Sequence, residues 1–140
     1  MSTFAKLRQD HADIVRIVGA LEELIARPSP PPQLELFDLR RQLTSTLIAH
    51  LKSEDWVLYP RLMASGDAAT AAAGRAFNAE MTGIASAYSD YAGRWGAAAI
   101  ERDWPAYCAE SRAVIDALMG RITRENRELL PLLEAIEKAA

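Results

Sequence analysis

The chain has 140 residues, of which 50% are hydrophobic and 25% are charged, and its formal net charge is −3. That length is enough to bury a core, and we expect residues 1–140 to form one domain. The sequence has no run of lysine or arginine of the kind that binds nucleic acid or an anionic membrane. Its single cysteine, Cys108, cannot form an internal disulfide, and cysteine-based metal motifs are absent from the sequence.

The first ten residues lack the apolar stretch of a signal peptide, and no apolar run approaches the ~20 residues that a membrane span needs. We therefore expect a cytoplasmic protein that binds neither nucleic acid nor membranes. A protein partner is left open, because nothing in the sequence identifies one.

The first predicted helix covers residues 4–25. Its apolar positions recur in alternating steps of three and four, which is typical of a helix in a bundle. These positions are Phe4, Leu7, His11, Ile14, Val18, Leu21 and Ile25. A histidine, His11, thus takes a place in the apolar series. The proline-rich segment 27–33 ends the helix, because consecutive prolines cannot continue it.

The second predicted helix covers residues 34–63, and its apolar series contains a histidine and a glutamate. The series runs through Leu36, Leu39 or Arg40, Leu43, Leu47, His50, Glu54 and Val57. His50 and Glu54 are four residues apart and so share one face of the helix. We expect Pro60 to bend or end this helix. The segment 65–67, Ser-Gly-Asp, indicates a stop followed by the cap of the next helix.

The third predicted helix covers residues 68–100, and the fourth covers residues 103–138. The apolar series of the third is Phe77, Met81, Ile84, Tyr88, Tyr91 and Trp95. The series of the fourth is Tyr107, Ser111, Val114, Leu118, Arg121, Glu125, Leu129 and Leu132. Asp103 is expected to cap the fourth helix and Pro131 to kink it. Four long helices with short connections predict an all-α, up-down-up-down four-helix bundle.

The polar members of these series are expected to meet inside the bundle. The helical rise places six residues at one level, roughly 10–25 Å from the same end: His11, His50, Glu54, Met81, Arg121 and Glu125. Burying an unpaired neutral polar group costs on the order of 2–7 kcal/mol, and burying a charge costs more. Either a metal ion or a hydrogen-bonded layer of side chains must therefore satisfy the buried polar groups at this level.

The chain resembles the hemerythrin-like, or HHE, family over nearly its whole length. The matching motifs are Asp10-His11, His50-x-x-x-Glu54 with Leu58-Tyr-Pro60, and Arg121-x-x-x-Glu125 with Leu129-Leu-Pro131. In full members of the family, histidines and two bridging carboxylates hold a non-haem di-iron centre. That centre binds dioxygen or serves in oxygen, iron or redox sensing. The resemblance implies a hemerythrin-like bundle.

Two positions depart from the family pattern. Met81, preceded by Glu80, stands where the third helix of the family has a histidine, and Arg121 stands where the second motif has one. Both missing histidines would bind the same iron. By resemblance, the other half-site keeps its metal ligands, which are His11, His50, Glu54 and Glu125.

The departures suggest how the centre is altered. We expect Arg121 to act as the charge partner of Glu54 and Glu125 in place of the second metal, because a guanidinium is always charged and matches carboxylates. The expected function is a metal-binding or sensing module that holds at most one ion, such as iron, zinc or manganese, and does not bind dioxygen as a di-iron protein. The alternative is a metal-free bundle that serves in protein interaction or regulation.

Enzyme classes find little support in the sequence. A ferritin-like di-iron oxidase needs Glu-x-x-His, but Arg8 and Leu47 stand three residues before the two histidines. Hydrolase motifs are absent, and an enzyme built on a single metal stays open. Trp56 and Trp104, if exposed together, would mark a partner surface, and we expect Cys108 to be buried and inert.

Overall fold

The computed structural model describes residues 2–140, and no strand occurs in that range. In chain order the elements are α1 (Thr3–Ile25), α2 (Gln33–Ser53), π1 (Glu54–Leu58), α3 (Tyr59–Met63), α4 (Ala68–Arg94), α5 (Ala97–Arg102), α6 (Trp104–Arg124), π2 (Glu125–Leu129) and α7 (Leu130–Ala139). The elements π1 and π2 are single turns of π-helix. They join α2 to α3 and α6 to α7 without a break in the helical chain.

Four helical arms form the bundle: α1, the run from α2 to α3, α4, and the run from α6 to α7. The first arm packs against the second and against both halves of the fourth, whereas α4 packs against α3 and α6. The short α5 lies between the third and fourth arms and packs against α6. This confirms the predicted all-α four-helix bundle. Within the described part of the chain, no helix combines the length and the apolar character that crossing a membrane requires.

Side-chain caps begin three of the arms. Ser2 accepts a hydrogen bond from the backbone N–H of Ala5, and Asp67 accepts one from Thr70. Asp103 accepts one from Ala106, as its position before the fourth arm predicts. Each cap satisfies a backbone donor that has no partner in the first helical turn.

The third arm is shorter than the sequence predicts. Its apolar series suggested a helix to residue 100, but α4 ends at Arg94 and the chain restarts after Gly96 as α5. Arg40 of α2 satisfies the free carbonyls at this end, donating to Trp95 O at 2.6 Å and to Ala92 O at 3.3 Å. The break follows from this contact between arms, which the periodicity of a single segment does not reveal.

The two prolines expected to end or kink helices are accommodated by the π turns. Pro60 follows π1 and Pro131 follows π2, each as the second residue of the next α-helix. In each turn the hydrogen bond spans five residues, from Tyr59 N–H to Glu54 O and from Leu130 N–H to Glu125 O. A widened turn of this kind lets the helix continue through a residue that has no N–H to donate.

The apolar core lies in two parts. The larger cluster surrounds Val18 and Tyr107, and the smaller cluster surrounds Leu58 and Leu129. On α1, Ile14 belongs to the larger cluster and Leu7 to the smaller one, so the polar residues between them in the sequence form a layer between two apolar regions.

The structure also shows how exposed Trp56, Trp104 and Cys108 are. Trp56 is 75% exposed but Trp104 is only 5% exposed, so the two tryptophans do not form the joint exposed surface that would mark a partner site. The indole N–H of Trp104 instead donates to Arg27 O at 2.9 Å, which fixes it inside the larger apolar cluster. Cys108 is buried, as expected.

Candidate metal centre

Four polar side chains from three arms converge between the two apolar clusters. They are His11 of α1, His50 of α2, Glu54 of π1 and Glu125 of π2, hereafter the His/Glu centre, and none is more than 4% exposed. One ligand atom of each lies within 4.8 Å of the other three. Nε2 of His11 is 3.1 Å from Nε2 of His50 and 2.9 Å from Oε1 of Glu125. Oε1 of Glu125 is 3.6 Å from Nε2 of His50, and Oε1 of Glu54 also contacts that nitrogen.

Each histidine is held from outside the centre through its other ring nitrogen. Nδ1 of His11 donates to Oδ1 of Asn126 at 2.6 Å, and Nδ1 of His50 donates to Oδ2 of Asp10 at 3.3 Å. Amide and carboxylate oxygens only accept, so each Nδ1 carries a proton, and a neutral ring then presents the lone pair of Nε2. Contacts of this kind fix the orientation and tautomer of metal-binding histidines.

Each carboxylate of the centre is held through its second oxygen. The hydroxyl of Tyr59 donates to Oε2 of Glu54 at 2.5 Å, and Nε of Arg121 donates to Oε2 of Glu125 at 2.7 Å. The two Oε1 atoms are left facing the histidines. Every member of the centre therefore has one atom fixed from outside and one atom directed at the common point.

One buried acceptor at this point has no hydrogen-bond partner. Oε1 of Glu54 lies against His50, but it accepts no hydrogen bond of normal geometry from residues 2–140. An unsatisfied buried polar atom costs about 1–3 kcal/mol, and more when it is charged. Two imidazole nitrogens and two carboxylate oxygens form a donor set that divalent metal ions bind. The residues of the centre thus fit a cation, and together they could hold one metal ion.

The pKa values of the side chains in the centre also indicate that its buried carboxylates need a positive charge nearby. Burial alone would lower the pKa of His50, but the neighbouring carboxylates of Asp10, Glu125 and Glu54 outweigh it and raise that pKa to about 11. Burial raises the pKa of Glu54. Burial opposes ionisation of Glu125 too, yet its contacts with the imidazole rings of His11 and His50 hold its pKa well below the usual range. Either a proton on His50 or a metal ion can supply the charge that these carboxylates require.

Arg121 and Met81 stand at the two positions for which the resemblance implies a second pair of histidines. Arg121 donates from Nη1 to Glu80 at 3.1 Å and from Nη2 to Tyr59 at 2.9 Å and to Phe77 O at 2.7 Å. Its guanidinium also lies 4.6 Å from the centroid of the Phe77 ring. Met81 is buried in the smaller apolar cluster. A guanidinium and a thioether in these places do not fit a second metal ion with nitrogen and oxygen ligands.

The structure brings together the four residues that the sequence predicted as ligands, and it places Arg121 against one of their carboxylates. Arg121 reaches Glu125 directly, but it reaches Glu54 only through the hydroxyl of Tyr59. Glu80, the residue before Met81, pairs with Arg121 and with Arg124 at the surface.

Sequence reasoning missed three residues that hold the centre: Tyr59, Asp10 and Asn126. Tyr59 lies five residues after Glu54, and residues five apart do not share a face in an α-helix. Only the π turn brings this pair together. Asp10 precedes His11 and Asn126 follows Glu125, and adjacent residues of a helix point in different directions. Each therefore contacts a histidine of another arm: Asp10 contacts His50, and Asn126 contacts His11.

Comparison with models of protein families gives a match. The family described as the hemerythrin HHE cation-binding domain matches residues 2–133. Comparison with curated proteins and comparison with solved structures each find no match. Because the family matches nearly the whole chain, and because the bundle and its buried His/Glu centre agree with it, the chain belongs to the hemerythrin HHE cation-binding domain family.

Proposed function

We propose that the protein is a cation-binding module with a mononuclear centre, in which His11, His50, Glu54 and Glu125 hold one metal ion. The observation that carries this proposal is the buried, unsatisfied Oε1 of Glu54, which faces the same point as the other three ligand atoms. A cation at that point would interact with all four acceptor atoms, for which the protein supplies no common hydrogen-bond donor. It would also tie together three arms of the bundle.

The altered side of the centre argues against the di-iron chemistry of the family. Two ions share the binding of dioxygen there, whereas Arg121 and Met81 leave room for ligands to one ion only. A nitrogen and oxygen donor set suits Fe(II), Zn(II) and Mn(II). When bound, such an ion supplies fixed positive charge, and iron would add one-electron redox chemistry. A binding or sensing role follows, with sensing resting on occupancy of the site.

A metal-free role is the second candidate, and the raised pKa of His50 favours it. With His50 protonated, its charge and that of Arg121 balance the charges of Glu54 and Glu125. The layer would then be a closed ionic network. In that case the function would lie on the surface of the bundle, in an interaction with another protein.

Elemental analysis of metal per chain tests the two candidates. The protein should be purified without a histidine tag from cells supplied with iron, zinc and manganese. One ion per chain, lost in His50→Ala but kept in a matched surface variant such as Arg75→Ala, supports the mononuclear module. Two ions per chain would contradict the place given to Arg121 and Met81. An absence of metal, with no change in melting temperature on adding a chelator, would favour the metal-free role.

A further inference from the structure

We propose that the cleft between α4 and α6 is a binding site for an uncharged, compact apolar molecule. The volume of this cleft is about 570 Å³, which lies within the range of about 300–1,000 Å³ that small-molecule pockets have. None of the four members of the His/Glu centre lines it. The inference therefore goes beyond the proposed function and does not depend on a bound ion.

The floor of the α4/α6 cleft is apolar and only partly covered. Ile84 of α4 and Val114 of α6 are half-buried, and Leu118 between them is 4% exposed. Four small, exposed residues flank this floor: Gly83, Ala87, Ala113 and Ala117. Because their side chains are short, they leave Ile84 and Val114 open to water, and removing such apolar surface from water favours a ligand.

A smaller cavity lies behind the same floor. It measures about 210 Å³, lies between α2 and α4, and shares Ile84, Tyr88 and Leu118 with the α4/α6 cleft. Side chains in a closely packed interior rarely have space on two sides. Ile84 and Tyr88 do, so they can change rotamer without displacing a neighbour, and the floor can adjust to the shape of a ligand.

Ion pairs join α4 to α6 at both ends of the cleft. Arg124 of α6 donates to Glu80 of α4 at 2.7 Å, and Arg94 of α4 pairs with Glu110 of α6. Glu110 also accepts a hydrogen bond from the indole N–H of Trp95 at 2.8 Å. Between these pairs, residues 83–88 and 113–118 form the walls of the cleft, and each of these ranges covers about 9 Å along its helix axis.

The polar groups of the cleft indicate that its ligand is uncharged. Among the described residues that line the cleft, three have polar side chains: Glu80, Tyr88 and Glu110. Both carboxylates have arginine partners, and the hydroxyl of Tyr88 shares a hydrogen bond with Oγ1 of Thr44 at 2.8 Å. A charged group placed here would lose its hydration without gaining an unpaired charge of opposite sign, whereas an uncharged apolar molecule has no such cost.

The size of the apolar strip favours a small molecule over a second copy of the chain. A strip about 9 Å long between helix axes about 8–10 Å apart has an area on the order of 100 Å². A stable dimer buries about 800 Å² on each partner. A second copy would therefore have to extend over the ion pairs at both ends of the cleft, and it would remove those charges from water.

Two dyes that share one aromatic skeleton test the site on the full chain as purified. N-phenyl-1-naphthylamine is uncharged, and 8-anilinonaphthalene-1-sulfonate has the same rings with a sulfonate added. Both fluoresce more strongly in an apolar site than in water. We expect one uncharged dye to bind per chain with saturation, and the sulfonated dye to bind more weakly by about tenfold or more, because its charge finds no unpaired cation.

Matched substitutions locate the bound dye. Ala87 and Ser86 are adjacent, exposed residues of α4, and of the two only Ala87 lines the cleft. Ala87→Phe fills the space above the floor and should weaken binding of the uncharged dye by about tenfold or more. Ser86→Phe is the control and should bind the dye as the parent does. Ala113→Phe fills the cleft from α6 and should act as Ala87→Phe does.

The outcomes separate this site from the proposed metal module. Absence of saturable binding, equal affinity for the two dyes, or unchanged binding in both cleft variants would overturn the inference. Dimerisation of the parent in sedimentation, abolished by Ala87→Phe but not by Ser86→Phe, would assign the cleft to a second copy instead. None of these measurements depends on metal content, so the proposed function would stand after any of them. A chain found to hold no metal would likewise leave the inference intact.

Discussion

Arg121 and Glu125 form a buried ion pair four residues apart, in which Nε donates to Oε2 at 2.7 Å and neither side chain is more than 3% exposed. Glu125 uses its other oxygen to face the histidines of the centre. One carboxylate thus joins a permanent cation on one side to the candidate ion site on the other. We propose that the guanidinium neutralises Glu125 directly, in place of the charge of a second ion.

The first prediction concerns this ion pair. Removing the guanidinium in Arg121→Ala leaves Glu125 without its cation and Tyr59 without a donor, and losing one partner of a buried pair costs about 3–5 kcal/mol. Arg75→Ala is the control, because Arg75 is exposed on α4 and makes no ion pair with any residue from 2 to 140. This substitution should change the free energy of unfolding by no more than about 0.5 kcal/mol. Urea unfolding of both metal-depleted variants measures the difference. Equal stability of the two variants would contradict the neutralising role.

Much of the centre can be predicted from helical spacing alone. His11 and His50 take places in apolar series, and Glu54 follows His50 by four residues, so a regular helix already puts them inside at one level. Arg121 and Glu125 repeat that spacing in the fourth arm. The fold follows from the same spacing, because four amphipathic segments with short connections have few ways to bury their faces.

The features that spacing could not predict depend on departures from the regular helix or on contacts between arms. Tyr59 reaches Glu54 because π1 is one residue wider than an α-helical turn, and a period of 3.6 residues hides that pair. The break after Arg94 depends on Arg40, which lies in a different arm and satisfies the carbonyls there. The first feature depends on a local widening of the helix and the second on a contact between arms, and the period of a regular helix shows neither.

The second prediction concerns the outer partner of His11. Asn126→Ala removes the acceptor that fixes the ring, and loss of such a partner typically weakens metal binding about 10–100-fold. Asn126 is exposed, so the variant should fold normally. Asn78→Ala is the control, since the side chain of Asn78 makes no hydrogen bond within the described residues. Competition with a coloured chelator gives both affinities, and an Asn126→Ala affinity equal to that of the parent would argue against this role.

The third prediction is the pH dependence of the metal-depleted protein. The pKa of His50 rises from an ordinary 6.5 to about 11 in the folded state, because the neighbouring carboxylates of Asp10, Glu125 and Glu54 outweigh burial. A raised folded-state pKa contributes stability that is complete below pH 6.5 and is lost as the pH rises toward 11. The free energy of unfolding should therefore fall between pH 6.5 and 8.5.

His50→Gln is the matching variant, because it keeps a polar side chain of similar reach but removes the titrating group. Its free energy of unfolding should vary little over that pH range, whatever its absolute stability. Denaturant unfolding at several pH values, with chelator present throughout, gives the two slopes. A parent slope as flat as that of the variant would mean that His50 is not held protonated in the folded state.

The fourth prediction concerns the thiol. Burial raises the pKa of Cys108, with Arg112 opposing the shift only weakly, so little thiolate is present in the folded protein at pH 8. Alkylation of the native protein should therefore be much slower than alkylation of the same protein in denaturant. Mass spectrometry of samples taken over time measures both rates, and rapid native modification would show that the thiol is accessible after all.

The last prediction uses two glycines of α4 that sit in opposite surroundings. A methyl group added at Gly74 would lie 2.9 Å from Cβ of Leu62 in α3, whereas one added at Gly83 would meet nothing within 4 Å. Alanine favours a helix interior over glycine by about 0.8–1.0 kcal/mol, and this gain applies at both positions. At Gly74 the contact with Leu62 is close to the backbone and cannot relax by rotation, and overpacking of this kind costs about 1–3 kcal/mol. Gly83→Ala should therefore stabilise the protein and Gly74→Ala should destabilise it.

Thermal and urea unfolding of the two variants should give changes of opposite sign. Stabilisation by both would mean that α3 and α4 can separate at Gly74 without cost.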